Sequence, residues 1–181
     1  FVGYIQGASN IAARLMDLRT ETLLEDRDKN AELPPKDILD LQPGAAWHKH
    51  HNGGGWVSET AYVEASASVS GRAAVFGNSR VLDRARVYGS SRIGGNAEVY
   101  GAPHIHGRAV VGGQAKIYDA AKVLGDVQIY GYVEIGGTSV VRGTLVLDGN
   151  QVIIDDHITD RDAAKKSNKQ VRASSSVPAE G

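Results

Sequence analysis

The sequence predicts an all-β chain wound as one parallel coil, triangular in section and about six turns tall. Three observations predict it. Stepping by six from Val57 meets an aliphatic residue seventeen times in succession, ending at Ile153, and sixteen of the seventeen are β-branched. Two positions before the aliphatic, from Ala61 to Ala121, stand eight Ala, two Ser and one Pro. Two positions after it, from Glu59 to Asp155, stand twelve Gly, three Asp, one Ala and one Glu.

Each position has a physical reason. Residues two apart in a strand face the same way, so the small residue and the aliphatic both point inward. Gly or Asp two residues beyond suits a corner that requires positive φ. One hexad is therefore a short strand and a turn, and three hexads close a coil of 18 residues. Stacked coils lie about 4.8 Å apart and hydrogen-bond to one another, which leaves a sheet edge at each end in need of a cover.

Over residues 57–154 the chain resembles the hexapeptide-repeat parallel β-helix superfamily. The resemblance implies a left-handed coil and a homotrimer. In the commoner hexad of that family Gly directly follows the aliphatic, whereas here it comes two after, as in Val87, Tyr88, Gly89. That variant, led in by the run GGGWV at residues 53–57, is similar to hexapeptide-repeat proteins associated with phages and prophages.

Composition bounds the rest. A chain of 181 residues fits one domain with appendages. Its formal net charge of −1 supplies no global field for nucleic acid or an anionic membrane, so neither is expected as a partner. There is no Cys for disulfides or thiolate chemistry. No run of about 18 apolar residues is available to span a membrane. The opening FVGYIQGASN lacks Met and reads as a processed or incomplete start, with too short an apolar run for a signal peptide.

Flanking the coil, residues 1–56 read as an arm and residues 155–181 as a polar, Ser-rich tail, disordered or ordered by a partner. Residues 9–29 have helical amphipathicity: Ser9 is placed to cap, and Ile11, Leu15 and Leu18 fall on one stripe. Pro34 and Pro35 end any helix there, and residues 36–41 admit one more turn. A helix of that size is marginal alone in water, so it must pack on the first coil, on copies of itself or on a larger partner.

Residues 18 apart stack, so the outer surface reads in columns. Arg80, Glu98, Lys116 and Glu134 alternate in sign and predict a ladder of ion pairs that sets register and adds little per rung. Asn78, Asn96, Gln114 and Asn150 align at a corner as an amide ladder interrupted by Tyr132. Leu82, Tyr100 and Tyr118 form an aromatic stripe of the kind found at subunit interfaces. Arg86, His104 and Lys122, beside Tyr88, His106 and Leu124, form a basic strip that suits an anion, a neighbouring subunit or solvent. The predicted interface is Leu82, Tyr88, Tyr100 and Tyr118 on the rod with Ile11, Leu15 and Leu18 on the arm. Inside, Val127, Val133 and Leu145 replace Ala and predict wider final coils, and Gln151 marks the rod's end.

Two clusters carry possible chemistry. The run WHKHHNGGGW at residues 47–56 holds His48, His50 and His51. In an extended segment His48 and His50 project to one side, and three copies around a trimer axis would give six imidazoles for an octahedral transition metal, as in metal-pinned phage spike tips. The other reading is a polar lead-in whose glycines thread the chain into the first coil while Trp47 or Trp56 covers the core end. The second cluster follows from the resemblance. Acyltransferases of this fold use acyl-CoA and a His general base beside a groove between subunits, for which His104 or His106 are the candidates. Yet seventeen hexads pass without an insertion to wall a substrate, and neither His has an acidic partner one hexad or one coil away. A three-His zinc site is equally unsupported, because the coil neighbours of this pair are Arg86, Tyr88, Lys122 and Leu124.

The expected protein is thus non-enzymatic and without a cofactor: a rigid trimeric rod serving as spike, fibre, cement or adaptor of a phage-type particle. Residues 1–50 and 155–181 would hold other structural proteins, in a virion if the chain is phage-derived and in the cytoplasm otherwise. The alternative is an acyltransferase.

Overall fold

The computed structural model describes residues 33–160. The predicted helix over residues 9–29, with Ile11, Leu15 and Leu18, and the chain after residue 160 lie outside the described residues. From Trp56 the chain forms a parallel β-solenoid of about six turns, each turn giving one rung to each of three faces. The first face runs from Trp56–Ser58 to Val146–Leu147, the second from Tyr62–Val63 to Val152–Ile154, and the third from Ser68–Val69 to His157–Ile158.

Register follows the 18-residue period: Val57 pairs with Val75 and Val75 with Ile93. Before the final coil the amides of outward residues donate to carbonyls seventeen residues ahead, as in Tyr62 to Ser79 at 3.0 Å and Glu64 to Val81 at 2.8 Å, whereas Val140 donates to Asp156, sixteen ahead. Every aliphatic rung from Val69 to Val141 is fully buried. The Ser residues at the small inward position are tolerated because their hydroxyls stay bonded: Ser79 donates to the Phe76 carbonyl at 2.7 Å and Ser139 to that of Gly136 at 2.7 Å.

The corner prediction holds for all twelve Gly and all three Asp, each at positive φ; Glu59 and Ala65, at the two earliest corners, are not. Gly107 shows why side chains are excluded: at φ +92° an added Cβ would lie 2.6 Å from the Gly125 carbonyl oxygen of the next coil. Asp enters the same conformation by bonding between coils. Asp83 accepts from the Gly101 amide at 2.8 Å, Asp119 from Gly137 at 3.1 Å, and Asp155 from Thr138 at 2.7 Å. The Thr138 amide and hydroxyl hold the Asp155 carboxyl below its ordinary pKa.

Three features depart from the periodic reading. The solenoid does not stop at residue 154: Val140 pairs with His157 and Val141 with Ile158, and the Asp160 carboxylate accepts from the Thr144 amide at 2.7 Å. The last coil is one residue short, so a step of five hides Ile158 from a count by sixes. Tyr132 continues the corner ladder rather than interrupting it, its hydroxyl accepting from Gln114 Nε2 at 3.0 Å. Pro35 opens a helical turn, Lys36–Leu39, its carbonyl accepting from the Ile38 and Leu39 amides.

That turn belongs to a cover over the solenoid's first coils. Trp56 and Ala74 point outward, and Ile38, fully buried, packs on both with Leu41 and Trp47 in a second small core. Asp37 reaches Arg72 and Arg92 at 2.8 Å each, and their guanidinium groups lower its pKa, chiefly through the Arg72 hydrogen bond. Gln42 accepts from the Ser58 hydroxyl at 2.9 Å and the Gly77 amide at 3.0 Å. Trp47–Lys49 pairs antiparallel with Trp56–Ser58, and the following turn crosses the third face's edge. There Gly55 donates to the Val69 carbonyl at 2.8 Å, and the Val69 amide donates to Asn52 at 3.1 Å. The edge strands of the first and third faces are covered at this end.

Ile38→Ala should cost about 2–5 kcal/mol of cover stability, seen as faster amide exchange over residues 36–58 with the C-terminal coils unchanged. Gly107→Ala should lower the melting temperature more than Gly149→Ala, because Gly149 shares the positive φ (+81°) but has no atom within 4 Å of the added Cβ. Equal losses would show that left-handed strain alone, about 1–2 kcal/mol, governs the corners.

Candidate functional site

A depression of about 530 Å³ opens at the N-terminal end of the third face. It arises from a step in side-chain size. Ser66, Ser68 and Ser70 occupy the first coil, Arg84, Arg86 and Tyr88 the second, and His104 the third, with Asn52 of the cover as its end wall. Parallel register places Ser68, Arg86, His104 and Lys122 in one column. Outward side chains thus grow from hydroxyls to guanidinium and imidazole along the rod. The Tyr88 ring stacks on His106 at 4.4 Å and 16° and meets His104 edge-on at 6.4 Å.

The charge of this face differs from the others. On the second face Arg80 pairs with Glu98 at 3.6 Å and Lys116 with Glu134 at 3.8 Å, as the alternating column predicts. Arg72 and Arg92 are held by Asp37, and Arg108 by Asp126. On the third face no outward strand residue from Ser68 to Leu124 is acidic. Among the described residues no carboxylate pairs with Arg84 or Arg86. Burial lowers the His104 pKa, and Arg86 and Lys122 on either side lower it further. Its imidazole is therefore neutral at neutral pH, with a lone pair available and no carboxylate among the described residues to orient it.

The histidines of the lead-in differ in exposure. His48 is exposed on Trp47–Lys49, while His50 is buried at the turn that follows. The His50 ring packs on His51 at 4.5 Å, and its Nδ1–H donates to the Asn52 carbonyl at 3.2 Å. Its Nε2 is buried with no hydrogen-bond partner among the described residues, and burial lowers the ring's pKa. Among the described residues no group of three or more His, Asp or Glu is placed to hold a metal ion. The GGGW segment leads into the strand Trp56–Ser58, and Trp56 is buried against Ile38 on the outer side rather than over the end of the inward core.

The predicted aromatic stripe is half-buried within one chain. Tyr100 and Tyr118 stack at 5.3 Å and 8°, and Tyr118 lies over Gly136, where an added Cβ would clash with its Cε2. Burial, with Tyr118 and nearby carboxylates, raises the Tyr100 hydroxyl's pKa. Leu82 is likewise half-buried. Val146, Val152 and Ile154, none of which the columns single out, are exposed on the last coil. A second depression of about 510 Å³ lies on the third face near Leu124, Arg142 and Asp160.

Sequence columns found Arg86, Tyr88 and His104 but missed Ser66, Ser68, Ser70, Arg84 and Asn52. Small side chains carry no chemical flag alone, and only the larger rung beside them makes a hollow. No helix among the described residues is long and apolar enough to cross a membrane. Comparison with family profiles, curated proteins and solved structures gave no match.

His104 should titrate below the ordinary histidine value of about 6.5, and Arg86→Gln or Lys122→Gln should each raise its pKa by removing a neighbouring positive charge; imidazole NMR titration checks both. His50 gives a stability effect of defined sign. Its folded pKa is lowered, so the unfolded chain binds the extra proton first as pH falls below about 6.5. Stability is full above that pH and is lost as pH drops toward the folded value. In His50→Leu, chemical denaturation between pH 7.5 and 5 should show a flatter profile.

Proposed function

We propose that this protein is a non-enzymatic structural and assembly component, a rigid rod that acts as spike, fibre, cement or adaptor in a phage-type particle. The observation that carries the reading is continuity: six rungs on each of three faces with no loop extruded between them. Catalytic sites on repetitive scaffolds are commonly built from inserted loops, and here the corners are used for stacking. The particle assignment rests on analogy with the repeat variant, since fold alone does not fix function. Assembly as a homotrimer, with residues 1–50 and 155–181 holding other structural proteins, follows from the same analogy. Sedimentation equilibrium of the full chain should give three times the chain mass at micromolar concentration. A monomer there would overturn the trimeric rod.

One observation favours a second reading, an acyltransferase using acyl-CoA: the neutral His104 lines the 530 Å³ depression. His106, its alternative base, is engaged by the Tyr88 ring. Under the structural reading, incubation with acetyl-CoA and a panel of amine and hydroxyl acceptors releases no free CoA. Release abolished by His104→Ala would establish the enzyme instead.

A further inference from the structure

We infer that the depression at the N-terminal end of the third face is a binding site for a small-molecule phosphate ester, with Arg84 and Arg86 as its anion-binding groups and Ser66, Ser68 and Ser70 as hydrogen-bond donors. Three independent observations converge there. Both guanidinium groups lack a carboxylate partner among the described residues, although Arg72, Arg80, Arg92 and Arg108 are all paired. The three serines line the hollow, and among the described residues their hydroxyls have no hydrogen-bond partner. The nearest outward neighbours along the column, His104 and Lys122, add no negative charge.

The chemistry selects the ligand class. Guanidinium forks match the spacing of phosphate oxygens and bind them with charge-assisted hydrogen bonds. Two such forks and three hydroxyl residues lining one hollow suit a doubly charged tetrahedral group better than a single carboxylate. The volume asks for more than the ion: about 530 Å³ falls within the ordinary range of small-molecule sites, about 300–1,000 Å³. The Tyr88 side chain in the lining offers apolar surface to the organic part. The site needs no second subunit, so it stands apart from the rod reading; it occupies the same depression as the acyl-transfer reading but requires no turnover.

The test titrates the full chain at low ionic strength with phenyl phosphate, inorganic phosphate, phenyl sulfate and benzyl alcohol, followed by amide NMR and calorimetry. Phenyl phosphate should bind with shifts confined to residues 52, 66–70, 84–88 and 104, more tightly than the other three. Arg84→Gln and Arg86→Gln should each weaken it about tenfold, the loss expected for one charge-assisted contact. Ser68→Leu should block it by filling the hollow with both Arg retained, and Arg142→Gln, beside the other depression, should leave it unchanged. Absence of binding, or equal weakening by Arg142→Gln, overturns the site. Equal affinity for inorganic phosphate overturns the ester, and equal affinity for phenyl sulfate overturns the dianion. Circular dichroism of each variant confirms that a loss of binding is not a loss of fold.

Discussion

Everything in this solenoid depends on the backbone ladder in which an amide donates to a carbonyl seventeen residues ahead. That bond forms only if each turn consumes 18 residues, so each corner must bend within a fixed length. The positive-φ corners satisfy the requirement and the inward aliphatics fill what they enclose. Core, corner and ladder are mutually dependent: an extra residue in a turn would move every inward side chain beyond it out of phase. The one-residue contraction that does occur lies in the final coil, where no further turn has to inherit the register.

A stack of open coils has the weakness of any sheet, an unpaired edge at each end. At the N-terminal end the answer is a cover assembled from unlike parts. Ile38 anchors it by burial, Asp37 by its two Arg, Gln42 by its carboxamide, and the turn after His51 by backbone bonds to Val69. Within it the His50 ring is sealed with one nitrogen unpartnered among the described residues, which ties the cover's integrity to that imidazole remaining neutral.

Because the backbone repeats, the three faces differ only through their outward side chains. The second face cancels its charges in pairs, while the first is partly occupied by the cover. The third has no carboxylate paired with Arg84 or Arg86 among the described residues and begins with three small hydroxyl residues beside bulky ones. Uniform rungs would make a flat wall, and unequal neighbours make the hollow. Chemical individuality in a molecule of this kind is therefore a matter of steps between adjacent coils.

The sequence alone determined the solenoid, its inward residues and its glycine and aspartate corners, because a short exact period leaves one way to stack. The second-face ion pairs were legible for the same reason: Arg80 and Glu98 stand 18 apart and therefore side by side. What escaped depended on contacts that no period encodes. Ile38 gives no sign of its burial until Trp56 and Ala74 are seen turned toward it, and Ile158 is hidden by a broken count. The depression near Arg86 needed the size of Ser68 and Ser70, the height of His104 and the position of Asn52 at once. Tertiary structure decided these features because burial and concavity belong to several side chains together and to no single residue.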